Sequence, residues 1–302
     1  MMNQTGARVK EEETCEHKDQ DDTDNQNPAT DQGCTASQDR TPITRVIKDL
    51  KDWQELRKKI GTQSVGFVPT MGALHEGHLE LMRRSLAEND RTVVSIFVNP
   101  TQFNDPKDFE KYPIQVEKDL KLLEALGVHD LLLPSSEELY ADQYRYQVSE
   151  NQQSRILCGA HRPGHFDGVL TVVLKLLNLV RADRAYFGEK DFQQWTLIEG
   201  MVKAFFIPTQ VFSHPTVREL DGLAMSSRNV RLTLEERKKS ILFPQILNAA
   251  SSALEARQEL EAQGFEVDYV EEHFGRRLGA VRLGSVRLID NVNLEQVKHV
   301  EG

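Results

Sequence analysis

Val65-Gly-Phe-Val-Pro-Thr-Met-Gly-Ala-Leu-His-Glu-Gly-His78 is the stretch that decides how this chain reads. A short apolar strand runs into Pro69-Thr-Met-Gly72, and His75 and His78 follow, separated by Glu76 and Gly77. An apolar, helix-patterned segment comes next, with Leu79, Leu81, Met82 and Leu86. A small-residue turn, a helix N-terminus and two imidazoles thus meet at one point, where phosphates can be received.

The glycines Gly72 and Gly77 have P-loop spacing, but His78 and Leu79 stand where lysine and Ser/Thr belong. No G-x-G-x-x-G is present, and the histidines are three apart rather than the four a zincin needs. What remains is a His-x-x-His pair on one helical face at a positive dipole end, able to donate to phosphate oxygens. Two histidines satisfied inside a turn are the bland alternative.

Working outward, strand and helix signals alternate. Strand-like runs are Ser64–Pro69, Thr92–Asn99, Asp130–Pro134, Arg184–Phe187 and Gln210–Ser213. Helix-like runs are His78–Glu88, Ile114–Leu126, Asp167–Arg181 and Phe192–Ala204. The alternation predicts an α/β fold, a Rossmann-like parallel sheet wrapped by helices, over residues 43–216. Past Val217 the pattern changes. Thr233 and Glu236 have capping-box spacing, a long helix is expected to about Gln263, and strand-like runs follow at Phe265–Val270 and Ala280–Ile289. Residues 217–302 therefore read as a smaller α+β domain.

Residues 1–42 are different. They hold ten Asp or Glu against four Lys or Arg, with no Leu, Ile, Phe, Trp or Tyr. Such a segment cannot bury enough apolar surface to order itself, so a disordered acidic extension is expected. It has neither a signal peptide's apolar core nor a transit peptide's composition. The whole chain carries a formal charge of −10, which argues against a general nucleic-acid partner. Three scattered cysteines fit a reducing compartment, and the longest apolar run is too short for a bilayer, so a cytoplasmic protein without a membrane partner is expected.

Four further segments can carry chemistry. In Phe97-Val-Asn-Pro-Thr-Gln-Phe103, the amides of Asn99 and Gln102 can bind a hydroxyl or carboxylate without burying a charge. An Asn-Pro turn is the alternative. In Gly159-Ala-His-Arg-Pro-Gly-His-Phe-Asp-Gly168, Arg162 could meet a polyphosphate, while His161 and His165 could be turn residues. In Phe187-Gly-Glu-Lys-Asp-Phe-Gln-Gln194, Gly188 permits close approach and Lys190 offers a point charge. Asp191 there can bind a hydroxyl or a metal-bound water; a solvated charge run competes with both roles. In Leu223-Ala-Met-Ser-Ser-Arg-Asn229, two hydroxyls and a guanidinium suit a phosphate clamp, or an ordinary turn. Without G-x-S-x-G, neither Ser226 nor Ser227 reads as a nucleophile.

Taken in order, these five segments resemble the pantoate–β-alanine ligase family of the nucleotidyltransferase superfamily, from about Ile43 to Asn293. The resemblance implies that pantoate's carboxylate attacks the α-phosphate of ATP, accompanied by Mg2+. The amine of β-alanine then displaces AMP. It implies an ATP site made of Pro69, Thr70, Met71, Gly72, His75, Gly77 and His78, with Gly188, Glu189, Lys190, Asp191, Val217, Met225, Ser226, Ser227 and Arg228. His78 would be the proton donor, with His75, Lys190, Ser226, Ser227 and Arg228 also acting in catalysis. Gln102 and Gln194 would hold pantoate, Gln102 also β-alanine, with Asn99 and Arg162 beside them. No protein-ligated metal is expected, and a homodimer is. The acidic extension and a shortened stretch between Tyr269 and Leu288 depart from the family; the latter implies a trimmed loop or a lost strand. A tRNA-charging relative and a non-catalytic nucleotide-binding interaction protein are the competing readings.

Overall fold

The computed structural model describes residues 43–297; the acidic stretch of residues 1–42 lies outside them, as do residues 298–302. Six parallel strands form the main sheet: β1 (Arg45–Ile47), β2 (Val65–Thr70), β3 (Arg91–Ile96), β4 (Asp130–Leu132), β5 (Arg184–Gly188) and β6 (Gln210–His214). Their order is β1-β4-β3-β2-β5-β6, so the chain winds one way from β2 through β3 and β4, then crosses back to β5 and β6. The reversal falls between β2 and β5, and the crevice at their carboxyl ends is where sheets of this kind bind ligands.

Both faces of the sheet are covered, and the strand residues alternate between two cores. Val65, Phe67, Val93, Leu132, Ala185 and Phe187 face the helix His165–Val180 in one cluster. Val68, Val94, Ile96, Leu131 and Tyr186 face the other way, toward helices Glu76–Glu88 and Val116–Leu126. Each large apolar side chain so buried contributes roughly 1.5–3 kcal/mol. Helix Glu76–Glu88 lies so close to β2 that a Cβ on Gly66 would sit 2.2 Å from Ser85 Oγ. That approach fixes the helix whose N-terminus carries the two histidines.

The expected alternation is observed, with end shifts of one to three residues. Two elements near the start of the described chain, β1 and helix Leu50–Ile60, lack a sequence signal of comparable strength. The helix is held by Trp53, fully buried, whose indole donates to Leu179 O at 2.9 Å.

Beyond Val217, the Thr233–Glu236 capping box forms as its spacing predicts. The single long helix does not. Three helices stand there instead, Leu234–Ser240, Leu242–Ala249 and Ala253–Ala262. The break before Ala253 is made by Ala250-Ser-Ser252, where Ser252 caps the last helix through Glu255 N–H. The run Ala280–Ile289 is likewise two strands, split by Gly284 at φ +53°. A three-stranded antiparallel meander results: β7 (Glu266–His273), β8 (Arg276–Leu283) and β9 (Val286–Asn293). β7 pairs with β8 from Tyr269↔Ala280 to His273↔Arg276, and β8 with β9 from Arg276↔Asn293 to Leu283↔Val286, so the short stretch after Tyr269 is made of two tight hairpins.

This small sheet also has two buried faces. Val270, Val281, Leu283, Val286 and Leu288 pack on helices Leu242–Ala249 and Ala253–Ala262. Tyr269, Leu278 and Ala280 join the core of the main sheet. Among the described residues no helix is long and apolar enough to cross a membrane. Cys158 is a buried free thiol.

Candidate functional site

The largest concentration of the singled-out residues lines one cavity of about 210 Å³ at the carboxyl ends of β2 and β5. Pro69, Thr70 and Met71 come from the end of β2, and His75, Gly77 and His78 from the helix start. Gly188, Lys190, Asp191 and Gln194 follow β5. Val217, Met225, Ser226, Ser227 and Arg228 close the far side, and Gln102 reaches in from the segment after β3.

The turn between β2 and its helix is built for this. Thr70 Oγ1 accepts from Gly72 N–H at 3.1 Å, and Gly72 takes φ +78°. Asp119, 1% exposed, accepts from Ala73 N–H at 2.8 Å and Leu74 N–H at 2.9 Å. Gly72 itself stands behind the cavity wall and serves this turn. Asp119 has a clear role that the five motifs do not announce. Its only sequence signal is a carboxylate on the core face of a helix, three residues after Val116 and four before Leu123.

The two histidine rings are in contact, tilted by 34° with centroids 4.0 Å apart. His75 is the N-cap of the helix, and its N–H donates to His78 Nδ1 at 3.4 Å. That contact leaves the proton of a neutral His78 on Nε2, as a donor. Burial drives the His78 pKa down to about 3, helped by His75 and the charge of Lys190. Burial, then Lys190, lowers that of His75 to about 4. Both rings are therefore neutral donors at pH 7. His75 Nδ1 is buried with no partner among the described residues.

Charge enters from the opposite wall. Lys190 Nζ pairs with Asp191 at 2.9 Å. Removal from bulk water would raise the Asp191 carboxyl, but Lys190, Arg228 and His165 outweigh it and hold Asp191 below its ordinary value. Arg228 contacts Asp108 at 3.1 Å and lies 5.7 Å from the ring of Tyr112, another cavity residue outside the five motifs. Ser227 Oγ donates to Ala73 O at 3.2 Å, tying this segment to the β2 turn. Apart from its chain neighbours, no atom of the described residues lies within 4 Å of a Cβ placed on Gly188, which lines the cavity.

Besides Gly72, three of the candidate residues do not line this cavity. Asn99 is 1% exposed and committed: it bonds Gly168 O at 3.1 Å and Gln102 Oε1 at 3.2 Å, and accepts from Tyr140 O–H at 2.8 Å. It orients Gln102, whose Nε2 points to Met71 Sδ at 3.1 Å. Glu189 pairs with Arg276 at 2.6 Å and accepts from Ser213 O–H, so it braces the small sheet. Arg162 faces a neighbouring cavity and donates to Gln102 O at 3.1 Å. His165, left open as a turn residue, contacts the same carbonyl at 2.8 Å and is lowered to about 3 by burial and by Arg162. Of the paired glutamines, Gln194 lines the cavity, while Gln193 is buried against Cys158 N and Ile156 O. Among the described residues no cluster of three His, Cys, Asp or Glu side chains could hold a metal.

Residues 42–293 match the family described as pantoate-beta-alanine ligase. The chain belongs to the pantoate–β-alanine ligase family. A pantothenate synthetase of Bdellovibrio bacteriovorus is 55% identical over 252 residues, 83% of this chain and 100% of that protein. One from Legionella pneumophila is 51% identical over 82% of this chain and 98% of its own length. The Bdellovibrio protein aligns along its whole length, so the compact second sheet lies within the matched span of this ligase family. Among solved structures, a pantoate–β-alanine ligase of Francisella tularensis, complexed with an ATP species and β-alanine, superposes with TM-score 0.80. It is 41% identical and covers 83% of this chain and 98% of its own. Pantothenate synthetase of Thermus thermophilus gives TM-score 0.77 at 40% identity, covering 83% and 99%. This chain is thus an acid–amino-acid ligase, with the six-stranded parallel sheet and small antiparallel sheet of its structural neighbours.

Proposed function

We propose that the chain condenses pantoate with β-alanine in the cavity at the ends of β2 and β5, through a pantoyl adenylate. The observation carrying this is the His75–His78 pair, rings in contact and held neutral, lining one cavity with Lys190, Ser226, Ser227 and Arg228. ATP is the activating substrate. A pantoate carboxylate oxygen attacks the α-phosphorus, forming the acyl–phosphate bond and expelling pyrophosphate. The β-alanine amine then attacks the acyl carbon, forming the amide and releasing AMP.

In the first step negative charge builds on phosphate oxygens. A neutral His78 with its proton on Nε2 can donate there without first losing a proton to water. Lys190 and Arg228 supply fixed positive charge, and the hydroxyls of Ser226 and Ser227 supply donors. Gln102 and Gln194 hold pantoate by neutral amides. Asn99, His165 and Arg162 act on Gln102 from behind, Asn99 through its side chain and the other two through its carbonyl. Mg2+ would arrive on the ATP phosphates, and Asp191, open to the cavity beside Lys190, would take one of its waters.

The second sheet with its helices, within the 217–302 region, serves as a lid in this reading. The polar ties across to the main sheet, Arg276–Glu189 and Ser227–Ala73, are of a kind that can exchange during a cycle. A homodimer and a cytoplasmic location belong to the same reading, and sedimentation of the full chain tests the first.

The deciding experiment is an AMP-release assay on purified full-length chain with Mg2+, omitting pantoate, β-alanine or ATP in turn. AMP formation that needs all three is expected. No AMP with all three present would sink the ligase reading and favour a nucleotide-binding protein without turnover.

A further inference from the structure

Beside the first cavity lies a second, of about 290 Å³, sharing Lys190, Asp191, Ser226 and Arg228 with it. Its walls come from the turn after β3, the Arg162 loop, the Ser226–Arg231 segment and the β8–β9 hairpin. Cationic side chains on these walls outnumber carboxylates seven to four.

The ion pairs make the imbalance specific. Asp108 is shared by two guanidiniums, Arg228 at 3.1 Å and Arg231 at 2.6 Å. Asp268 is likewise shared by Arg282 at 3.3 Å and Arg287 at 2.7 Å. Arg162 has no carboxylate within ion-pair range among the described residues; its guanidinium contacts Gln102 O and His165 Nε2. Two carboxylates therefore serve four guanidiniums, and a fifth has none, which leaves three unneutralised positive charges around one space. Burial and the charge of Arg287 both push the Arg162 guanidinium down, the mark of a cation short of an anion. Guanidiniums held in fixed orientation by shared carboxylates are preorganised for phosphoryl oxygens.

We propose that this second cavity is a chamber for pyrophosphate, which enters past the Lys190–Ser226–Arg228 rim and is held by Arg162, Arg231, Arg282 and Arg287, apart from the place of the ATP phosphates. This rests on the ligase reading for the source of the pyrophosphate. The chamber gives the β8–β9 hairpin a chemical task, because Arg282 and Arg287 flank its turn. It also clears the first cavity before the amine of β-alanine must reach the acyl carbon. A multiply charged anion without an amine suits the walls better than β-alanine, whose ammonium would lie among guanidiniums.

The test is calorimetric titration of inorganic pyrophosphate into full-length chain saturated with α,β-methylene ATP. One pyrophosphate per chain is expected. Arg282→Gln and Arg231→Gln should each weaken it about tenfold, the effect of one charge-assisted hydrogen bond, while the affinity for the ATP analogue stays unchanged. Arg287→Gln should weaken it further, with its melting curve checked because Arg287 also binds Asp268. Exclusion of pyrophosphate by the analogue, or parental affinity in the folded variants, overturns the chamber. So does a rise in the KM for β-alanine with pyrophosphate affinity intact, which would make the cavity a carboxylate subsite. If the chain makes no AMP yet binds pyrophosphate with these dependences, the ligase reading falls and the chamber stands.

Discussion

The two sheets deliver their chemistry in opposite ways. The parallel sheet presents residues at strand ends, in runs contiguous along the chain, such as Pro69–His78 and Gly188–Gln194. The ends of β2, β3, β5 and β6 open toward the same crevice, so a local motif is already a piece of the site. The antiparallel sheet works at a distance. Its Asp290 pairs with Arg218 at 2.6 Å, its Arg276 with Glu189, and its Asn291 Nδ2 donates to Glu189 O and Lys190 O at 2.8 and 3.2 Å. None of those partners is near in sequence. The first sheet lines the cavity directly; the second braces the residues at its strand ends.

The sharpest break in that contrast would come from the first sheet. His78→Ala should lower kcat about a thousandfold, as expected when a phosphate donor is removed, with the folded state retained. Steady-state AMP release and circular dichroism measure the two; a variant that is active within tenfold removes His78 from the chemistry.

A change in the second sheet should act on stability instead. Asp290 is 3% exposed, and Asp290→Ala leaves Arg218 without its carboxylate. A loss of about 3 kcal/mol in urea unfolding is expected, the low end for a broken buried pair because Arg218 is partly exposed. An unchanged unfolding midpoint would show that the small sheet is held by its apolar face alone.

Gly168 tests the junction behind Gln102. A Cβ there would lie 2.6 Å from Thr101 O, a backbone atom that cannot swing aside. Gly168→Ala should cost about 2 kcal/mol and raise the KM for pantoate more than that for ATP. Equal changes in both would show that Gln102 does not discriminate.

Acid should loosen the main sheet. His75, His78 and His165 have folded pKa values of about 4, 3 and 3, below the ordinary value of 6.5. Below 6.5 the unfolded chain takes up protons that the folded chain refuses, so stability is full above that pH and falls from 6.5 toward 4. Buried His165 can contribute at most about 1.4 kcal/mol per pH unit in this window. The urea midpoint, followed from pH 7 to pH 5, should fall less steeply in His165→Gln. The same values predict no inflection near pH 6.5 in kcat.

The smallest effect belongs to a cap far from the cavity. Thr233→Ala removes the acceptor for Glu236 N–H and should cost about 1 kcal/mol without altering kcat.

The amino-acid sequence by itself determined the parallel sheet, its alternation with helices and most of the cavity wall, because strand-end motifs are local and a sheet covered on both faces reads as apolar runs. It also determined the kinship, through the order of five such motifs. Tertiary structure decided which polar residues face the cavity. Asn99 and Gln102 read alike as amides, yet packing against Gly168 and Tyr140 turned Asn99 inward and left Gln102 at the wall. It decided that Asp119 builds the β2 turn from a helix forty-five residues away. And it decided the charge around the second cavity: a lone sequence cannot show that Asp108 and Asp268 are each shared by two guanidiniums. The physical reason is common to all three. Periodicity records which face of an element is buried, while the partner of a buried polar group is set by whichever distant element folds against it.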